Sequence, residues 1–166
     1  MKILIVSDSH GDVETMCGAV DAEQPDVVIH LGDHIADADR LNERYPGMRV
    51  YKVPGNTDSG SADEEWIRRI ELCGKSILLT HGHTFLEDKT VKTYFEGITK
   101  LFLSCCGSAD IILFGHTHEP FINCCNGKWI MNPGHIGRRL GQQINATYGI
   151  LEIVSDIIQW RFQEAR

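Results

Sequence analysis

Five short segments of the chain place aspartate, asparagine or histidine directly after an apolar run. Asp8 and His10 follow Ile3–Val6, Gly32-Asp33 follows Asp26–Leu31, and Gly55-Asn56 follows Arg49–Val53. Further on, His81 and His83 follow Ser76–Thr80, and His116 and His118 follow Ile111–Phe114. Carboxylate oxygens, an amide oxygen and imidazole nitrogens, with no thiolate among them, make a hard-to-borderline donor set. Such a set suits Mn, Fe, Ni, Zn or Co; it is too rich in nitrogen for magnesium and fits calcium less well. The neighbouring glycines let the backbone turn sharply where these side chains must point inward. A lone Asp-x-His or His-x-His is ordinarily a cap or a satisfied turn, but five such segments together need a common explanation. In open α/β sheets, loops past the carboxyl ends of the strands converge on one edge and bind ligands there.

Convergence of that kind requires parallel strands. Ile3–Val6, Asp26–Leu31 and Arg49–Val53 read as strands, separated by two segments of helical spacing. Val13, Met16, Cys17 and Val20 lie at i, i+3, i+4 and i+7, and Ala38, Leu41 and Tyr45 follow the same pattern less cleanly. The order strand–helix–strand–helix–strand implies parallel pairing with right-handed crossovers. Trp66–Leu72 and Ser76–Thr80 flank Cys73-Gly74-Lys75 as a tight hairpin, and Lys89–Ser104 has one apolar face of a helix. Ile111–Phe114 reads as a strand buried on both faces. Phe121–Cys125 and Lys128–Met131 are joined by Asn126-Gly127, the pair favoured in type I′ hairpins, and Thr147–Val154 and Ile157–Phe162 by Ser155-Asp156. The front half is therefore expected to be βαβ-like and the back half antiparallel. No repeat or linker divides the chain, so residues 1–166 are expected to form one domain.

In order along the chain, Asp8-Ser9-His10, Gly32-Asp33, Gly55-Asn56-Thr57-Asp58, His81 and Gly115-His116-Thr117-His118 resemble the motif set of the calcineurin-like metallophosphoesterases. The length points to their small single-domain bacterial and archaeal phosphodiesterase branch. The resemblance covers Met1 to about Gly137 and implies an α/β fold, a four-layer α/β/β/α sandwich of two mixed β-sheets flanked by helices. It implies two divalent ions, with manganese the first expectation, one on Asp8, His10, Asp33 and His118. The second would sit on Asp33, Asn56, His81 and His116, with Asp33 shared. Two such ions could hold a bridging hydroxide for in-line attack on phosphorus, without a covalent enzyme intermediate. Asp33, Asn56 and His81 are thereby placed in the catalytic centre. One position departs from the pattern: the histidine that usually follows Gly-Asn and protonates the leaving group is Thr57, and threonine is no acid near neutral pH. Asp58 is one candidate replacement. His135, in the Asn132-Pro133-Gly134 loop, is another, and Arg138 or Arg139 could fork onto a phosphate. Asn56, Thr57, His83 and Arg138 are the expected substrate contacts.

Other histidines read more plainly. His30 lies within a strand and is expected to be a satisfied interior residue, while His34, beside Asp33, is either a neighbour of the site or solvated. Other phosphate chemistries fail on sequence. Gly74-Lys75-Ser76 looks like the end of a P-loop, but Arg69 stands where its first glycine belongs. No cysteine is followed six positions on by arginine, and Asp8-Ser9-His10 lacks the second aspartate of aspartyl-phosphate enzymes.

The 166 residues are 42% hydrophobic and 23% charged, the balance of a folded, water-soluble domain. Sixteen Lys and Arg against 23 Asp and Glu give a formal charge of −7, which argues against duplex nucleic acid or an anionic membrane as partner. No apolar stretch approaches a membrane span or a secretory leader, so the expected location is the cytoplasm, with the six cysteines reduced. The expected function is hydrolysis of a phosphate ester, most readily a diester, on a small-molecule substrate; homo-oligomer formation is left open. The alternative from another class is a non-catalytic metal-binding or protein-interaction scaffold on the same fold, similar to the retromer subunit of this family.

Overall fold

The structure is a computed structural model, and it describes residues 1–58, 65–84, 98, 109–138 and 145–165. Two five-stranded sheets face each other. The first is built from β1 (Lys2–Val6), β2 (Val27–His30), β3 (Arg49–Lys52), β9 (Thr147–Val154) and β10 (Ile157–Glu164), in the order β10-β9-β1-β2-β3. The second holds β4 (Ile67–Leu72), β5 (Lys75–Thr80), β6 (Ile111–Leu113), β7 (Pro120–Cys125) and β8 (Lys128–Pro133), in the order β4-β5-β6-β8-β7. Helices α1 (Val13–Glu23) and α2 (Ala36–Arg44) are the crossovers between β1, β2 and β3. Those three strands are parallel in the register Ile3↔Val27↔Arg49, as the strand–helix alternation requires.

Alternation along β1 explains its unbroken apolar run. Ile3 and Ile5 enter the layer between the sheets, against Ile77, Leu79, Ile111, Leu113 and Met131 of the second sheet. Leu4 and Val6 point the other way, onto Met16, Cys17 and Val20 of α1 and Leu41 of α2. A strand covered on both faces has no polar side, so its sequence does not alternate. The outer face of the second sheet buries Leu78, Ile112, Phe114 and Ile130 against Ile98. Ile98 is helical and is the one described residue of the predicted helix Lys89–Ser104, the rest of which lies outside the described residues.

In one respect the back half differs from its expected antiparallel layout. Strand β6 lies between β5 and β8 and is parallel to both, at Ile77↔Ile111 and Ile111↔Trp129. Having both faces buried makes β6 a central strand, and the two hairpins β4–β5 and β7–β8 add their outer strands antiparallel on either side. All three two-residue turns have both central residues at positive φ: Cys73-Gly74, Asn126-Gly127 and Ser155-Asp156. Strand β8 also runs past the expected Met131 to Pro133, which carries Asn132 to the edge where the ligand-type residues gather.

The C-terminal hairpin is tied back to α1 through Glu23. Arg161 Nη2 lies 2.6 Å from Glu23 Oε2, and Lys2 Nζ 3.1 Å from the same oxygen. The hydrogen bond from Arg161 and that from Lys2 hold the Glu23 carboxyl down at about 2, against the opposing pull of burial.

Candidate metal centre

The carboxyl ends of β1, β2, β3, β5 and β6 deliver Asp8 and His10, Asp33, Asn56, His81, and His116 and His118 to one edge of the sandwich. Asp8, His10, Asp33, His116 and His118 all hold backbone φ between 46° and 69°. Left-handed backbone in residues other than glycine carries strain, of the order of 1 kcal/mol or more each, and it concentrates where side chains must be aimed at a function. The glycines among them serve close approach instead. A Cβ on Gly115 would run into Ser7 Oγ, and one on Gly55 into Asp33 Oδ1.

One oxygen or ring nitrogen from each of Asp8, His10, Asp33 and His118 falls within a group no wider than 4.8 Å. Asp8 Oδ1 lies 3.0 Å from His118 Nε2, and His10 Nε2 lies 3.6 Å from Asp33 Oδ2. The other Asp33 oxygen, Oδ1, turns to a second set, with His81 Nε2 at 3.4 Å. It also accepts a hydrogen bond from the Thr57 backbone N–H at 3.0 Å. His81 Nε2 is 3.1 Å from Asn56 Oδ1 and 4.0 Å from Asp8 Oδ1, and the His116 ring stands 5.2 Å from that of His81. All seven residues expected to hold metal are thus assembled, and the two Asp33 oxygens face the two groups separately.

Hydrogen bonds from outside the group aim its donor atoms. His81 Nδ1 donates to the Leu31 carbonyl at 2.7 Å, which aims Nε2 at Asn56 Oδ1 and Asp33 Oδ1. A cation among these three atoms would be held by all of them. Asp8 Oδ1 and His10 Nε2 are buried without an aligned hydrogen bond, although His118 Nε2 is close to the former. Burial pushes the Asp8 carboxyl up, but the His118 contact and the nearby charge of His81 outweigh it, and the group sits below the usual carboxylate range. Burial pulls His10 down, and it pulls His116 down to about 4. Ionised carboxylates and neutral imidazoles are the protonation states that metal ligands need, so the residues fit divalent ions.

A second layer holds these loops. The Gly32 N–H donates to His30 Nδ1 at 3.2 Å, which leaves the His30 proton on Nε2, 3.0 Å from Ser9 Oγ. The Ser9 hydroxyl donates to Asp37 Oδ2 at 2.7 Å, and the Gly11 N–H reaches the same oxygen at 2.7 Å. His30 is therefore the satisfied interior histidine expected, and burial drives it down to about 4. Asp58, considered as a proton donor, has its Oδ1 on the Ile35 N–H and its Oδ2 on the Gly55 N–H, both at 2.8 Å. It clamps the turn after β3 to the start of α2. Asn132 Nδ2 donates to the Gly115 carbonyl at 2.8 Å and to Thr117 Oγ1 at 3.1 Å, stapling the His116–His118 loop to β8. Ser9, Asp37 and Asn132 carried no readable signal as partners, since each acts on a residue distant in the chain. Asp12 did carry one: it caps α1 through the Thr15 N–H, and its other oxygen takes the Arg138 N–H at 3.0 Å.

Around the rim, Thr57 is exposed and His83 is half-buried, its ring 5.6 Å from that of His81 and 6.2 Å from that of His116. His34 is exposed beside His10, with ring centres 5.4 Å apart. His135 is 2% exposed, its Nδ1 donates to the His118 carbonyl at 3.1 Å, and its ring packs 5.4 Å from that of His118. Arg138 is exposed and lines a cavity of about 290 Å³ with His135, Gly137, Asn145, Ala146, Glu164 and Ala165, none of them a metal-ligand candidate. Arg139 lies outside the described residues.

A mixed α/β sandwich that gathers carboxylate and imidazole groups at the ends of its strands offers a group fit to hold a metal ion. Residues 1–156 match the calcineurin-like phosphoesterase superfamily domain, and the chain belongs to that family. The protein named probable metallophosphoesterase YsnB of Bacillus subtilis is 32% identical over 99% of this chain and 91% of its own. A phosphodiesterase of Methanocaldococcus jannaschii is 24% identical over 81% of this chain and 83% of its own. Among solved structures, a predicted phosphoesterase of Streptococcus pneumoniae superposes with a TM-score of 0.75 at 27% identity, covering 99% of this chain and 89% of that one. Vps29 of Entamoeba histolytica, solved with zinc, has a TM-score of 0.68 at 18% identity over the full length of both chains and shares the fold. The family is metal-dependent and hydrolyses phosphoesters, and this chain keeps a cluster fit for metal.

Proposed function

We propose that the chain is a single-domain phosphodiesterase of the cytoplasm, with two divalent ions as cofactor. The observation that carries this reading is the division of Asp33, one oxygen toward His10 and the other toward His81. Asp8, His10, Asp33 and His118 would hold one ion and Asp33, Asn56, His81 and His116 the other, with manganese the first choice. Bound there, the ions would supply Lewis acidity toward the phosphate oxygens and lower the pKa of an attacking water.

The chain's own residues aim and insulate. Leu31 fixes the His81 tautomer, and the Thr57 N–H fixes the Asp33 rotamer. His135 is buried and bonded to the His118 backbone, so we assign it to holding that loop rather than to protonating a leaving group. With Thr57 in place of the usual acid and Asp58 spent on two backbone N–H groups, the site favours esters whose alcohol leaves without a proton. Aryl phosphodiesters have that property, and the named activity of the archaeal relative supports a diester. The scaffold reading requires no ligand set, whereas here all seven side chains stand together.

The purified protein is expected to hydrolyse bis(p-nitrophenyl) phosphate with added manganese and to stop in excess chelator. Asp33→Asn should lower bound metal, read by elemental analysis, and cut kcat/KM by ~100-fold or more. Full metal content and full rate in that variant would remove Asp33 as the shared ligand.

A further inference from the structure

Trp66 stands immediately before β4, and the antiparallel register Ile67↔Thr80 sets it beside His81 at the carboxyl end of β5. It is 42% exposed, although an indole is among the least economical side chains to leave in water. Its ring is not isolated. It meets the edge of His83 at 5.1 Å and 65°, and His83 in turn lies against both His81 and His116. The rings form a continuous row from two of the metal-ligand candidates out to an open indole. His83 Nδ1, in the middle of that row, is a buried nitrogen with no hydrogen-bond partner.

We infer that Trp66 is a specificity-determining residue. Its exposed indole is the platform on which a planar aromatic arm of the substrate stacks, with the attached phosphate at the metal centre. The substrate class is then a phosphodiester carrying an aryl or nucleoside group on the arm that does not leave. The chemistry favours this occupant. Stacking on an aromatic side chain holds a base by its flat face and is tolerant of which base it is. It also works without the basic surface that a longer nucleic acid would need, and the chain has a formal charge of −7. A row of aromatic rings ending in solvent gives no comparable hold on an aliphatic alcohol.

This inference rests on the phosphodiesterase reading, and the test separates the two. Bis(p-nitrophenyl) phosphate and methyl p-nitrophenyl phosphate share a leaving group and differ only in the retained arm. The ratio of their kcat/KM values should fall by about five- to tenfold in Trp66→Ala, with the loss in KM and with the methyl ester and metal content unchanged; Trp66→Phe should restore most of it. An unchanged ratio overturns the inference. If the wild type cleaves neither diester, the phosphodiesterase reading fails, and stacking is read by binding instead. In the zinc-loaded protein, the indole N–H resonance absent from Trp66→Phe should shift with adenosine 5′-monophosphate and stay in place with inorganic phosphate. No shift with the nucleotide overturns the inference even there.

Discussion

At the residue scale, the centre is built from protonation states as much as from positions. His30 shows this most directly, because its ring lies outside the ligand set yet is locked neutral. The Gly32 N–H donates to Nδ1, and Ser9 Oγ accepts from the Nε2–H. Burial holds the folded value at about 4, below the ~6.5 of an exposed imidazole. Protons therefore bind the unfolded chain first, and stability conferred by the neutral ring is lost as pH falls from ~6.5 toward 4. His116, also held at about 4, adds to the same slope in the metal-free protein. Denaturant unfolding of the metal-free chain between pH 7 and 4 should show stability falling through that window. His30→Gln, which has no proton to gain, should flatten part of the fall.

Among the elements, loops rather than strands carry the strain, and the strands are what allow it. Each left-handed ligand residue follows a strand that is buried and hydrogen-bonded on both sides, so the turn after it has a fixed starting point. Gly115 is the tightest of these junctions, with Ser7 Oγ where its Cβ would be and Asp8 Oδ2 3.1 Å from that place. Gly115→Ala should push the β6 loop off β1, at a cost of roughly 1–3 kcal/mol in unfolding free energy. It should also weaken metal binding, since displacing Ser7 shifts its neighbour Asp8, whose Oδ2 lies 3.1 Å from the added methyl; calorimetry with zinc alone would measure this.

Much of this was legible in the sequence. Donor residues directly after apolar runs located Asp8, Asp33, Asn56, His81, His116 and His118, because parallel strands leave few other places for such loops. The two-residue turns were equally plain, since positive φ demands particular residues. What stayed hidden was long-range. Nothing about Ser9 or Asp37 betrays that they meet across two loops, nor does Asn132 announce that it holds Gly115. The parallel setting of β6 was hidden too, because a short apolar run looks the same whichever way its neighbours run.

For the whole molecule, the balance of −7 acquires a different sense once the centre is known. Two divalent ions, bound as proposed, would add four positive charges at one edge, twice what Asp8 and Asp33 carry, and would make the site positive on a negative protein. A metal-loaded protein should bind inorganic phosphate, and the stripped protein should not; equilibrium dialysis in the presence and absence of chelator reads the difference. Since ions bind only the folded chain tightly, a metal at 100 times its Kd should add ~2.7 kcal/mol to stability, measurable as a higher Tm.

Sheet order also imposes a timetable on synthesis. Strand β1 lies between β2 and β9, so its second flank is closed only by a hairpin made after every ligand candidate from Asp8 to His118. A nascent chain emerging from the ribosome thus exposes the full set of donor atoms while the strand that aims the first of them still has an open edge. Pairing strands so far apart in sequence is slow. Competence for metal should accordingly wait on the arrival of residues that lie outside the proposed ligand set.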